Sequence, residues 1–183
     1  MKKYFILLCL AGAAFAENSF ELDPAKTEIN FTLHDALHTV HGTFKLKRGS
    51  IHFDQARGKA GGELVIDVAS GASGNGSRDK RMHKEILESL KYPEASFTPD
   101  SVKGRLDTEG ESQLDLHGVF KIHGADHEMT LQLLVDALGG GQYKATSHFS
   151  IPYVEWGIKD PSNFLLRVDK QVLMEVKAAV ATR

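Results

Sequence analysis

"LDLHGVFKIHGADHEMTLQLLV", residues 114–135, carries two short periods of alternation around one turn. Leu114, Leu116, Phe120 and Ile122 fall on one side with Gly118 in phase; Met129, Leu131, Leu133 and Val135 do the same further on. A period of two is the mark of a strand with one dry and one wet face. The turn between them is led by Gly124 and flanked by His123 and His127. Parallel strands are usually dry on both faces, so the pattern predicts antiparallel pairing.

The same alternation recurs along the chain. "TEINFTL" places Ile29, Phe31 and Leu33 together, "VHGTFKL" Val40, Phe44 and Leu46, and "SIHFD" Ile51 and Phe53. "ELVIDVA" aligns Leu64, Ile66 and Val68, and "ASF" Ala95 and Phe97. "YKATSHFSI" aligns Tyr143, Ala145, Phe149 and Ile151, and "VLMEVKAAV" aligns Val172, Met174, Val176, Ala178 and Val180. Short turns such as "DTEGES" and "LGGGQ" separate neighbours. About eight such strands predict an up-and-down antiparallel β-barrel, which leaves no open edge. A two-sheet sandwich is the alternative architecture.

One segment departs from this period. In "RDKRMHKEILESL", residues 78–90, Met82, Ile86 and Leu90 are spaced by four with Leu87 beside them. This predicts one amphipathic helix, with Ser77 as its N-cap and Asp79 in its first turn. It comes after the flexible loop "SGASGNGS" and would lie over a barrel mouth or flank.

Residues 1–16 read as a signal peptide. Lys2 and Lys3 precede the apolar run "YFILLCLAGAAF", which is too short to span a bilayer, and "AFA" ends at Ala16 as a small-x-small cleavage site. Cleavage would leave residues 17–183 as one domain and remove Cys9, the one cysteine, and with it any disulfide or thiol chemistry. A periplasmic or secreted protein is expected, without stable membrane insertion. The formal charge of −2 becomes two units more negative without Lys2 and Lys3. No basic footprint for nucleic acid stands out.

His34, His38 and His41 crowd "HDALHTVHG". In a hairpin that sets Leu33 against Gly42 and Phe31 against Phe44, His34 faces His41, and His38 or Asp35 could supply a third zinc ligand. The preferred reading is a wet-face hairpin with ordinary hydrogen bonds; a metal-binding periplasmic protein built on these histidines is the alternative. No catalytic constellation emerges, since "GASGN" lacks the second glycine of a nucleophile elbow and no carboxylate pair sits in an apolar setting. The chain is therefore expected to be a binder and not an enzyme.

Four stretches together resemble the YceI-like proteins, from about Glu21 to Ala181. They are "FTLHDALHTVHGTF"; "GSIHFD" with the later "ELVIDVASGASGNGSRD", which holds Asn75, Arg78 and Asp79; "YPEASF"; and "GVFKIHGADHEMTL". The resemblance implies a lipocalin-like, eight-stranded barrel with one helix. It further implies a long apolar ligand inside: a polyisoprenoid, a polyprenyl quinone, or a fatty amide or acid. Two departures, "ILESLKYP" after the helix and Trp156-Gly157 near the end, leave the helix cover and the ligand length open.

The candidate ligand-binding residues are Phe31, Phe44, Phe53, Leu64, Ile66, Met82, Phe97, Phe120 and Phe149, with Trp156 as an aromatic at a strand end. Each buried methylene contributes roughly 0.8 kcal/mol, so about ten approach the ~8 kcal/mol of micromolar binding. No cofactor is expected beyond such a polyisoprenoid or quinone-type lipid. Two further readings stay open: a structural barrel filled by its own aromatics, and an export factor that binds a partner through an apolar patch. The oligomeric state, a homodimer included, is left open by the pattern.

Overall fold

Each alternating stretch pairs with the next, and the last pairs with the first. The computed structural model describes residues 18–164 and 166–182. The expected leader therefore lies outside the described residues. The strands are β1 (Asn18–His34), β2 (Thr39–Asp54), β3 (Lys59–Ala72), β4 (Glu94–Gly104), β5 (Gly110–Ile122), β6 (Ala125–Gly139), β7 (Gln142–Ile151) and β8 (Val172–Thr182). They form a closed antiparallel barrel in sequence order, with β1 bonded to both β2 and β8. Closure satisfies every edge, and it overturns the sandwich alternative.

Two predicted stretches, "VHGTFKL" and "SIHFD", are one strand. In β2 the inward residues are even-numbered through Leu46 and odd-numbered from Ile51. The phase changes at Lys47 and Arg48, both exposed, where the register with β3 also shifts. A bulge of this kind lets a single strand carry two phases and bend around the barrel. β1 behaves alike: Phe20 and Leu22 point inward, the register slips across Asp23–Lys26, and Ile29 and Phe31 resume on odd numbers. Phe20 and Leu22 thus join the interior ahead of "TEINFTL".

The β5–β6 hairpin matches its sequence pattern, from Gly110↔Ala137 to Ile122↔Ala125 without a slip. Its turn residues His123 and Gly124 both have positive φ, 51° and 80°, as a type I′ turn requires. Gly118 faces Pro99 beside a register shift in β4. A Cβ there would press into the Thr98 carbonyl oxygen and the Pro99 backbone, so the two strands can approach only at glycine.

The helix is shorter than its pattern. α1 spans Gly76–Arg81 and runs into a π-helical turn, Met82–Ile86. Asn75, not Ser77, is the N-cap; its side chain accepts the Arg78 N–H at 3.1 Å. Asp79 does lie in the first turn, where its carboxylate accepts the backbone N–H and the hydroxyl of Ser73. The Leu87 N–H reaches back five residues to the Met82 carbonyl at 2.8 Å, and Glu88 then takes a positive φ of 44°. The helical segment therefore ends four residues before Leu90, which falls in the turn that follows. Leu90, expected on the apolar face, is 102% exposed.

Candidate ligand-binding site

The inward faces of all eight strands surround a cavity of about 390 Å³. That lies within the range of roughly 300–1,000 Å³ typical of small-ligand sites. It is more than twice the ~150 Å³ apolar void that already accepts benzene. The walls are side chains that alternation placed inward: Phe31, Phe44, Leu64, Ile66, Phe97, Phe120 and Phe149 among them. Along β5 the lining runs from Leu114 to Ile122, roughly 20 Å of barrel axis for a strand tilted by about 40°.

The two ends differ. At the floor, Phe20 meets Phe53 with ring centroids 5.5 Å apart and Tyr143 edge-on at 5.7 Å. These three are 5–7% exposed, so the cavity is sealed here. The connections at this end are short, residues 55–58, 105–109 and 140–141. Leu106 in one of them also lines the cavity, its N–H held by the Gln55 side chain at 3.0 Å.

The opposite end is a mouth built from α1, the β1–β2 turn and the long β7–β8 connection, residues 152–171. Here the lining includes polar groups: Asp35, Ser73, Arg78 and Arg81, the two arginines exposed, so the cavity reaches the surface. The long connection contributes Tyr153, Ile158, Pro161, Leu166 and Val168 as a lid. It is fastened at several points. Asp35 bridges Val168, the Asp169 N–H donates to the His34 carbonyl at 2.9 Å, and the Ala36 N–H donates to the Arg167 carbonyl at 3.0 Å. Arg81 reaches the Pro161 carbonyl at 3.3 Å, and Lys159 pairs with Glu85 at 3.3 Å. Within the lid the Tyr153 hydroxyl donates to the Asp169 carbonyl at 2.6 Å.

The electrostatics of the mouth arise from these contacts. Burial, reinforced by the negative charges of Asp160 and Asp169, pushes the Tyr153 phenol up to about 12. Tyr153 is therefore a neutral donor at physiological pH. The backbone N–H groups of Leu37 and His38, with the His38 ring beside them, hold the Asp35 carboxyl below its ordinary range. The Asp35 carboxylate accepts those two N–H bonds at 2.8 and 2.7 Å, which turns it into the β1–β2 connection and away from a guest.

Nine of the ten sequence candidates line the cavity: Phe31, Phe44, Phe53, Leu64, Ile66, Met82, Phe97, Phe120 and Phe149. Trp156 does not. It stacks on His127, centroids 4.1 Å apart and rings 6° from parallel, and backs Phe120 at 6.1 Å. Together Trp156 and His127 fill the β5–β6 side of the mouth. The alternation skips position 147. Ser147 faces the cavity there, its hydroxyl donating to the Gln132 carbonyl at 2.8 Å and so not left unpaired. The lid residues also escape the sequence pattern, since 152–171 carries no periodicity to read.

The histidine hairpin has another register. Phe31 pairs with Gly42, Leu33 with Val40 and His34 with Thr39, so His34 does not face His41. His34 Nδ1 contacts the Thr39 hydroxyl at 2.9 Å and His41 Nδ1 the Thr32 hydroxyl at 3.1 Å, while His38 lies 3.5 Å from Asp35. Among the described residues no three of His, Cys, Asp and Glu gather as metal ligands.

Comparison with known proteins matches this architecture. The chain is 27% identical over 179 residues to a UPF0312 protein of Pseudomonas syringae pv. tomato, covering 92% of this chain and 90% of that one. It is 29% identical over 130 residues to Protein YceI of Salmonella newport, covering 69% and 65%. Among solved structures it resembles a polyisoprenoid binding domain from Saccharophagus degradans, with TM-score 0.70 at 20% identity over 90% of this chain and 98% of that one. Burkholderia cenocepacia BcnA aligns with TM-score 0.69 at 18% identity, over 88% and 99%. A family model for the YceI-like domain matches residues 20–180, which take in part or all of each of the eight strands, and the chain belongs to that family.

Proposed function

We propose that this protein is a carrier or store for one long apolar chain, held inside the barrel with its polar end at the mouth. The observation that carries this reading is the cavity itself: overwhelmingly aromatic and aliphatic between floor and rim, sealed at one end and open at the other. Such a lining selects by length and apolar area, not by hydrogen bonds. A polyisoprenoid, a polyprenyl quinone and a fatty amide or acid all satisfy it, and the solved relative described as a polyisoprenoid binding domain supports the first. The role is binding for transport or storage, without catalysis.

The expected place of action is the periplasm or the exterior, reached through the leader at residues 1–16. The outer wall fits a water-soluble barrel. Lys45, Asp115, Lys121, Glu128 and Lys144 are all exposed on outward faces, where a membrane barrel would carry an apolar band.

Native mass spectrometry of protein purified gently from a bacterial host tests the reading. The expected result is an added mass of a few hundred daltons that organic extraction removes. Phe44→Asp or Phe120→Asp should abolish that mass in a protein that still shows strand circular dichroism. Retention of the lipid by such a folded variant would place the guest outside the barrel. A bare mass under all purification conditions would leave a barrel without cargo.

A further inference from the structure

Resting on that reading, we infer that the mouth end docks on an anionic bilayer surface, so that the guest passes between membrane and cavity without crossing water. Three of the most exposed large apolar side chains stand at this end. Leu37 is 74% exposed, Leu90 102% and Phe164 101%. They come from three separate connections around the opening: the β1–β2 turn, the segment after the π-helical turn, and the lid.

Each tip is held outward by its own turn. The Asp35 carboxylate accepts the Leu37 N–H at 2.8 Å. The N–H groups of Ser89 and Lys91, on either side of Leu90, donate to the carbonyls of His83 and Glu88 at 3.0 and 2.8 Å. Asn163 and Leu166 bracket Phe164 with backbone and side-chain bonds of 2.9 Å. Turn tips are where polar residues ordinarily sit. Single apolar tips spaced around an opening do not make the roughly 800 Å² face that a stable protein partner needs. A bilayer interface is fluid and takes each tip separately, with cations nearby adding attraction to anionic headgroups.

The charges are placed to match. Lys80 and Lys84 are exposed on the helical segment and carry no ion pair among the described residues; Lys91 adjoins Leu90. Of the acids on this segment, Glu85 pairs with Arg81 and Lys159, Glu88 lies against His123, and Asp79 accepts hydrogen bonds from Ser73; the lid adds Glu155, Asp160 and Asp169 beside Lys159, Arg167 and Lys170. The floor end lacks this set of tips. Among the described residues Leu138 is the one large apolar side chain there that is more than half exposed, at 62%, and in the connection 105–109 Asp107 pairs with Arg105 at 2.9 Å. Contact through the mouth also answers a physical need, because every methylene drawn through water weighs against transfer.

Flotation with vesicles tests the inference, using protein produced from the full sequence in a bacterial host. Vesicles of phosphatidylglycerol and phosphatidylethanolamine should bind it, and vesicles of phosphatidylcholine should bind it more weakly. L37S/L90S/F164S should lower partition by about tenfold or more, whereas L138S should leave it unchanged. K80E/K84E should weaken binding to the anionic vesicles alone. A separate readout reports on the cavity. In vesicle-free solution the triple variant should bind a pyrene-labelled hexadecanoic acid as the parent does, yet take it from anionic vesicles about tenfold more slowly. No vesicle binding by the parent, or equal binding by the triple variant, overturns the docking surface. So would delivery in cells that needs the three tips without any vesicle binding, since that face would then meet a protein. Failure of the parent to bind the labelled acid counts instead against the cavity reading and leaves flotation to judge the docking.

Discussion

The floor and the mouth of this barrel close the same cavity by different means. At the floor, three buried aromatic rings, Phe20, Phe53 and Tyr143, pack across strands that end in short turns. At the mouth, the cover is the connection 152–171, held by scattered hydrogen bonds and an isolated bridge. Dense apolar contact gives the floor the stability of the whole barrel, whereas solvent-facing hydrogen bonds open at lower cost. On the proposed function, a container that must admit a guest without unfolding needs this asymmetry.

Emptying the floor should have the largest effect. Phe20→Ala removes a ring that contacts two others and should cost about 3–5 kcal/mol in denaturant unfolding. A loss below about 1 kcal/mol would mean that the floor is not the rigid end. At the mouth, Tyr153→Phe deletes one hydrogen bond to the Asp169 carbonyl and should cost up to about 1.5 kcal/mol. Alkali acts on the same group. The folded state raises the Tyr153 phenol to about 12 from its ordinary 10. Folding therefore favours the protonated form, and this contribution is complete below pH 10 and lost as pH climbs toward 12. Hydrogen exchange of residues 152–171 should accelerate in that window before the floor strands respond, and Tyr153→Phe should remove the step.

Asn75→Ala removes the α1 cap and should cost about 1 kcal/mol, read as faster exchange of the helix amides with the floor unchanged. The smallest effect belongs to Asp35. Its carboxyl is held below the ordinary 3.8 by the N–H groups of Leu37 and His38. That support is present above the ordinary value and disappears as pH falls through the lower folded-state one. Acidification below pH 4 should shift the Leu37 and His38 amide resonances while the barrel stays folded. If these amides hold still and floor resonances move first, the mouth is not the softer end.

The hairpin from β1 to β2 shows how legibility fails. Alternation correctly sends Phe31, Leu33, Val40 and Phe44 inward, yet the observed register is displaced by two residues from the expected one. A slide of two preserves every face, so no pattern of apolar residues can detect it. The slide does change which outward side chains meet, and the His34–His41 encounter is lost to it. The helix departs from its pattern for a related reason: spacing by four assumes that the helix continues, whereas it stops at Ile86 and the positive φ of Glu88 carries Leu90 into an exposed turn.

Composition and alternation alone determined that this chain is an antiparallel all-β protein with an apolar interior, because burial rewards one face of each strand; the pairing of β8 with β1 decided barrel over sandwich. Phe31, Phe44, Phe53, Leu64, Ile66, Phe97, Phe120 and Phe149 were readable as inward for that reason. Tertiary structure alone decided where the cavity ends. The floor joins Phe20, Phe53 and Tyr143, and the mouth joins Asp35, Arg81, Pro161 and Val168, groups far apart in sequence and without any shared period. Local pattern records which way a residue faces; which distant residues it faces depends on strand register, bulges and lid contacts that form only when the ring is closed.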